Sequence, residues 1–216
     1  LGVVFIVNNI YFKIDTLMLF YFKGAADVGI YAVAYRVLET TLFAGSYLSS
    51  SLKPLLSRSV ITDKARAELA ITQSITFLFF MMLALAIICF VFPKEIILFL
   101  SNKDFASGKN ALMILGFAGI FIYLSGLFGE IMIAFDLRKT LLKISAFILT
   151  FNIILNIILI PKYSFIGAAF ATLICEVALM TIGYFMAKMS IAIRIDGGRI
   201  LKLIIISIVS SLLGFI

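Results

Sequence analysis

Lys13 and Asp15 lie two residues apart in NNIYFKIDTLMLFYFKGAADVGIYAVAYRVLE, residues 8–39, and Arg36 and Glu39 close the same stretch. Two cations and two anions among residues suited to lipid could do three kinds of work. They could hold an anionic group such as phosphate, bind and release a coupling cation, or lock two helices together as ion pairs. Asn8 and Asp15, seven apart, share a helix face; Asn9 and Lys13, four apart, share another; Arg36 and Glu39 are three apart. Farther on, Asn152 and Asn156 are four apart, while Glu130 and Glu176 each stand alone as the charge of a long apolar run. Lys13, Arg36, Asn8 and Asn9 are therefore the candidate substrate-binding residues, and Asp15 and Glu39 the candidate charge-pair or gating residues. Glu176 and Glu130 are candidates for ion coupling, Glu176 as a lone buried acid that takes up and releases a proton. A structural alternative stands beside each assignment. The four charges near the amino end could be a lock between two helices, Asn152 and Asn156 interhelical hydrogen-bond glue, and Glu130 a solvated interface residue.

Other chemistries lack their residues. There is no histidine, which removes imidazole catalysis, a histidine proton relay and the usual nitrogen ligands of metals. Cys89 and Cys175 sit singly inside apolar runs, where cysteine behaves as a small hydrophobe. No catalytic residue, disulfide, cofactor or metal site is expected, and the protein reads as something other than an enzyme.

The elements that position these residues are membrane spans. A chain of 216 residues with 63% hydrophobic and only 13% charged residues cannot cover a soluble surface. Repeated uncharged runs of helical length predict an all-α polytopic transmembrane bundle rather than a barrel. Seven spans can be drawn: Leu1–Phe22, Val28–Leu52, Leu69–Phe92, Ala111–Phe135, Ile144–Ile160, Tyr163–Ala187, and a truncated run from Leu203. Lys94–Leu100 is too short to cross and is expected at the interface. In the first span, two charges near the centre cost roughly 5–7 kcal/mol, against about 4–8 kcal/mol returned by its Leu, Ile, Val and Phe residues. Such a helix is stable only where its charges face other helices or a wet cavity. Gly119, Tyr123, Gly126 and Glu130 form one seam that permits close helix approach, and residues 167–171 form another.

Loop charges orient the bundle. Loops after the even spans hold Lys53, Arg58, Lys64, Arg66, Arg138, Lys139, Lys143, Lys188, Arg194, Arg199 and Lys202; those after the odd spans hold Lys23, Lys94, Lys103, Lys109 and Lys162. The richer side is expected in the cytoplasm, which also accounts for the net charge of +7 without nucleic acid as a partner. The first residue is Leu, and the last apolar run reaches Ile216 without a polar flank, so part of a longer chain is expected.

Two stretches resemble a known family. KIDTLML at residues 13–19, GA at 24–25 and VGIYAVAYRVLE at 28–39 resemble the start of the second lobe of Wzx-type polysaccharide flippases, members of the multidrug/oligosaccharidyl-lipid/polysaccharide (MOP) exporter superfamily. NIILNIILIPKY at 152–163 and IGAAFATLICE at 166–176 resemble that family's later signature. Lys13 stands where the family often has arginine, which keeps the charge but loses the planar fork. The resemblance implies two six-helix lobes arranged as a V, with residues 1–187 as spans seven to twelve. Residues 188–216 would be a cytoplasmic loop and part of a further span, and the first lobe lies outside this chain. It implies a multi-pass protein of the cytoplasmic (inner) membrane that moves a polyprenyl-pyrophosphate-linked oligosaccharide by alternating access, for O-antigen, lipopolysaccharide or capsule-like polysaccharide biosynthesis. Its implied partners are that substrate, membrane lipid, the first lobe, and glycan polymerase and export proteins. Lys13 and Arg36 would then attract the pyrophosphate while Asp15 and Glu39 compete for them. The rivals are a cation-coupled drug or metabolite antiporter of the same superfamily, a membrane-embedded glycan polymerase or transferase, and a structural subunit. Polymerases usually carry charged clusters in large outer loops, and the loops here are short.

Overall fold

The computed structural model of the chain describes residues 2–41 and 64–191. They form helices joined by tight turns, with no strand among the described residues. The all-α transmembrane bundle expected from the sequence is the architecture observed. The truncated seventh run from Leu203, the end of the second span (residues 42–52) and the loop charges Lys53, Arg58, Arg194, Arg199 and Lys202 lie outside the described residues.

Helix α1 (Gly2–Lys23) buries Val4, Tyr11, Asp15 and Leu19, a stripe one residue wide that faces the bundle. Its outer faces carry Phe5, Leu17, Phe20 and Tyr21, all exposed. Gly24 ends it with φ 86°, a conformation strained for any residue with a Cβ, and its N–H closes on the Phe20 carbonyl at 3.0 Å. Helix α2, residues 25–41, follows at once and buries Tyr31, Ala34, Tyr35 and Leu38. It begins before the Val28 expected from the sequence because one left-handed glycine completes the reversal.

Helix α3 (Lys64–Val91) presents Ile71, Ile75, Leu78, Met82 and Ala86 to the core. Pro93 opens α4 (Pro93–Leu100) at the position where a missing N–H costs nothing. At about 12 Å long, α4 cannot cross a ~30 Å hydrocarbon core. A 3-10 turn (Lys103–Gly108) leads into α5 (Lys109–Ala134), the axis of the bundle, which packs against both α3 and α6. Gly119 permits that approach: a Cβ there would lie 2.5 Å from Met82 Cε and 2.9 Å from Leu38 Cδ1. Gly126, expected in the same seam, is a correction, since a Cβ there would meet nothing within 4 Å.

Helix α6 (Arg138–Ser190) is a helical hairpin broken at Ser164, whose φ is 51° and ψ −133°. A Cβ on Gly167 would lie 2.5 Å from the Leu159 carbonyl oxygen. Eight helical residues would separate those groups by about 12 Å in a straight helix, so the two arms fold back on each other. The sequence placed this break at Pro161. The helix instead runs through Pro161 and turns at Ser164, because proline's fixed φ fits a helical turn whereas reversal needs a left-handed residue.

One end of the bundle gathers three turns. Ser164 donates a hydrogen bond to Asp27, and Lys23 Nζ donates to the Pro161 carbonyl at 2.9 Å. A Cβ at Gly29 would lie 3.2 Å from Phe105, and one at Gly108 would lie 3.1 Å from Ile30. The turns after α1, after α3 and inside α6 therefore share a side, as an up-and-down bundle requires. Among the described residues four helices are long and apolar enough to cross a membrane, and the hairpin in α6 supplies two crossings. This is a multi-pass membrane protein.

Candidate functional site

The bundle interior holds a polar cluster built from one repeated device, a pair of polar residues four apart on each of three helical segments. Tyr11 and Asp15 come from α1, Asn152 and Asn156 from the first arm of α6, and Thr172 and Glu176 from the second. Spacing of four puts each pair on one face, and the hairpin turns the two α6 pairs toward α1.

Asp15 is the centre, with 5% of its surface exposed. Asn156 Nδ2 donates to its Oδ1 at 2.6 Å, Thr172 Oγ1 donates to Oδ2 at 2.6 Å, and the Tyr31 hydroxyl of α2 donates to Oδ2 at 3.3 Å. Asn156 Nδ2 also donates to Asn152 Oδ1 at 3.0 Å. Asp15, Tyr31, Asn156 and Thr172 lie seven to nine residues from the turns at the shared end, so they form one layer about 12 Å below it. A second layer lies about 6 Å deeper, one helical turn on. There Glu176, also buried, accepts a hydrogen bond from Ser125 Oγ of α5 at 3.0 Å. Tyr11 and Cys175 pack at the same level.

Neutral hydroxyls and amides supply the hydrogen bonds to both carboxylates. Among the described residues the basic side chains that form ion pairs are Lys13 and Arg138, and neither touches this cluster. Burying a carboxylate in an apolar bundle carries a desolvation cost of several kcal/mol, which neutral donors offset only in part. Asn156 Oδ1 is buried in this cluster with no hydrogen-bond partner, while the Tyr11 hydroxyl faces Glu176 and the Asn152 amide faces Asp15 and Cys175. The oxygens of Asp15, Asn152, Asn156 and Thr172 are the groups in this cluster that could hold a proton or a hard cation.

The other charges lie on the outer face. Lys13 pairs with Glu39 at 3.3 Å, and their side chains are 68% and 45% exposed. Asp15, 200° around α1 from Lys13, has no part in that pair. The four charges of the amino-end stretch thus divide into an exposed ion pair, a buried acid, and Arg36, which is exposed one turn from Glu39 and faces α4 across a groove. Asn8 and Asn9 are exposed near the far end of α1, and Asn9 Nδ2 donates to its own helix at Phe5. Glu130 is half-buried farther along α5 than Ser125. Sequence reasoning missed Tyr31, Thr172, Ser125 and Tyr11. The Tyr11–Asp15 and Thr172–Glu176 spacings are the signal that could have found two of them.

The fold and the buried cluster define a multi-pass helical membrane protein with a polar interior, and comparison with known proteins gives its family. The MatE family model matches residues 1–158, and the chain belongs to that family, within the MOP superfamily. It is 34% identical over 167 residues to the capsular polysaccharide biosynthesis protein CapF of Staphylococcus aureus, covering 75% of this chain and 41% of that protein. It is 29% identical over 181 residues to the probable flippase AglR of Haloferax volcanii, covering 82% and 37%. It is also 26% identical over 163 residues to the probable low-salt glycan biosynthesis flippase Agl15 of the same organism, covering 75% and 34%. The chain therefore spans roughly two fifths of the length of the relatives it matches.

Proposed function

We propose that this chain forms the second lobe of a flippase that carries a polyprenyl-pyrophosphate-linked oligosaccharide across the cytoplasmic membrane by alternating access. Residues 1–187 would be the lobe, and residues 188–216 a cytoplasmic loop leading to a further span. The glycan roles named for CapF, AglR and Agl15 support this reading over a drug antiporter, and flippase-named relatives favour a transporter over a catalyst. A sugar–pyrophosphate head cannot enter hydrocarbon unaided, whereas a prenyl tail can remain in lipid.

The observation that carries the proposal is on α1. Two residues apart, one helix bears an exposed cation paired to α2 and a buried acid held by both arms of α6. Lys13, released from Glu39, and Arg36 one turn away would receive the pyrophosphate; Arg36 offers a planar fork and Lys13 a point charge. Asp15 with Asn152, Asn156 and Thr172 would hold the coupling cation or proton, with Glu176 and Ser125 as the next station inward. A cation bound there supplies the charge that lets Asp15 stay ionised inside the bundle. Any displacement of α1 that rearranges the Asp15 bonds also moves Lys13 relative to Glu39, so the two sites report to each other through one rigid element. The export of surface glycan by Lys13→Ala and Arg36→Ala variants of the intact protein tests the outer site. Each is expected to lose at least tenfold in export at normal protein level. Undiminished export from both would remove the cationic residues from the mechanism.

A further inference from the structure

The groove between α2 and α4 has no role in that scheme beyond the reach of Arg36. It encloses about 490 Å³ and is lined by Arg36, Val37, Glu95, Ile96, Phe99 and Leu100, a volume within the roughly 300–1,000 Å³ of sites that hold small molecules. Its wall is apolar except for Thr40, whose hydroxyl donates to the Val37 carbonyl, and charges of opposite sign, Arg36 on α2 and Glu95 on α4. Both are exposed, and neither enters an ion pair among the described residues. The short helix buries Ile97 on one side and turns Phe99, 90% exposed, to the other. An eight-residue helix too short to cross, with an aromatic on its free face, is suited to a membrane boundary.

We propose that this groove is a phospholipid site selective for a zwitterionic headgroup with a primary ammonium, of the ethanolamine type. The charge pattern selects the occupant. Arg36 presents a fork of N–H donors suited to a phosphodiester. Glu95 presents a carboxylate that would repel a purely anionic lipid and accept N–H bonds from an ammonium. Val37, Ile96, Phe99 and Leu100 cover the acyl chain beneath. A choline headgroup has the charge but no N–H, so it loses the bonds to Glu95; a glycerol headgroup leaves Glu95 beside an uncompensated phosphate. The proposal rests on the groove and not on the flippase reading. Where both hold, the lipid phosphate and the cargo pyrophosphate compete for one guanidinium.

The test uses the intact protein in nanodiscs of equimolar phosphatidylethanolamine, phosphatidylcholine and phosphatidylglycerol, with retained lipid read by native mass spectrometry. Ethanolamine lipid is expected to exceed choline lipid about tenfold, equivalent to about 1.4 kcal/mol. Glu95→Gln should bring that ratio to near unity while leaving total retained phospholipid unchanged. Arg36→Gln should lower all three lipids together, and Phe99→Ala should do so without touching the headgroup ratio. Preferential retention of the glycerol lipid, equal retention of all three, or an ethanolamine preference that survives both Glu95→Gln and Arg36→Gln would overturn the proposal. Should Arg36→Gln fail to fold, the Glu95→Gln ratio decides alone.

Discussion

Replacing Asp15 by asparagine separates a functional site from a structural lock. The carboxylate holds three hydrogen bonds, at 2.6, 2.6 and 3.3 Å. Were it only a lock, losing the charge would cost about 3–5 kcal/mol, the usual penalty for breaking a buried charged network. The geometry indicates otherwise. In the Asp15→Asn variant the side-chain oxygen still accepts from Thr172 and Tyr31, and only the new amide nitrogen conflicts, facing Asn156 Nδ2. Rotating the Asn156 amide presents its Oδ1, and rotating Asn152 presents its Nδ2 to that same oxygen. Asn156 Oδ1 is unpartnered in the native protein, so its flip breaks no bond, and the Asn152 flip gives up only that amide's approach to Asp15 and Cys175. The substitution also removes the desolvation cost of a buried anion.

The expected result is therefore a thermal midpoint in detergent unchanged or raised, within about 1 kcal/mol of the parent, together with loss of glycan export. A second readout comes from the coupling ion. A ligand at a hundred times its dissociation constant stabilises the native state by about 2.7 kcal/mol, and about 2–4 °C per kcal/mol is usual for a domain of this size. Sodium, or protons supplied by lowered pH, should thus raise the parent midpoint by several degrees and leave Asp15→Asn unmoved. A midpoint fall of 3 kcal/mol or more with ion dependence intact would refute the reasoning and make the cluster a packing device.

Gly167→Ala should destabilise by about 2–4 kcal/mol, since its Cβ meets the backbone of Leu159 and Ile160 and the hairpin must open. Gly126→Ala, with nothing within 4 Å, should be neutral or stabilising by up to about 1 kcal/mol; chemical denaturation of the two side by side checks both. Exchanging the exposed pair, Lys13→Glu with Glu39→Lys, should change stability by less than about 1 kcal/mol yet cut export at least tenfold. Equal export from the swapped protein would assign the pair to packing. Because Cys89 and Cys175 are buried, single-cysteine labelling has a quiet background. An impermeant thiol reagent should modify Asn102→Cys from outside intact cells and Asp136→Cys only after permeabilisation, and the reverse pattern would invert the topology.

What the sequence made legible was periodic, and what it hid was three-dimensional. Spans show as runs and faces as spacings of three and four, so the bundle, the short helix α4 and the inward-facing pair Asn152 and Asn156 could be read directly. The partner of Asp15 could not, because two candidate cations stood nearby in sequence while its actual partners are 16, 141 and 157 residues away. Sequence proximity favoured Lys13, but a separation of two on a helix turns side chains 200° apart, so the neighbouring charge was the one least able to reach. The hairpin turn obeyed the same distinction. Proline marks where a helix may weaken, while the reversal falls where tertiary bonds hold a non-glycine residue at positive φ, here Ser164 bound to Asp27. That bond also ties the α6 turn to the α1–α2 turn, so the segments carrying Asn156, Thr172 and Asp15 are anchored at one end, about 12 Å from the carboxylate. The cluster is thus held from one side by bonds between the turns of its own helices, Ser164 to Asp27 and Lys23 to the Pro161 carbonyl.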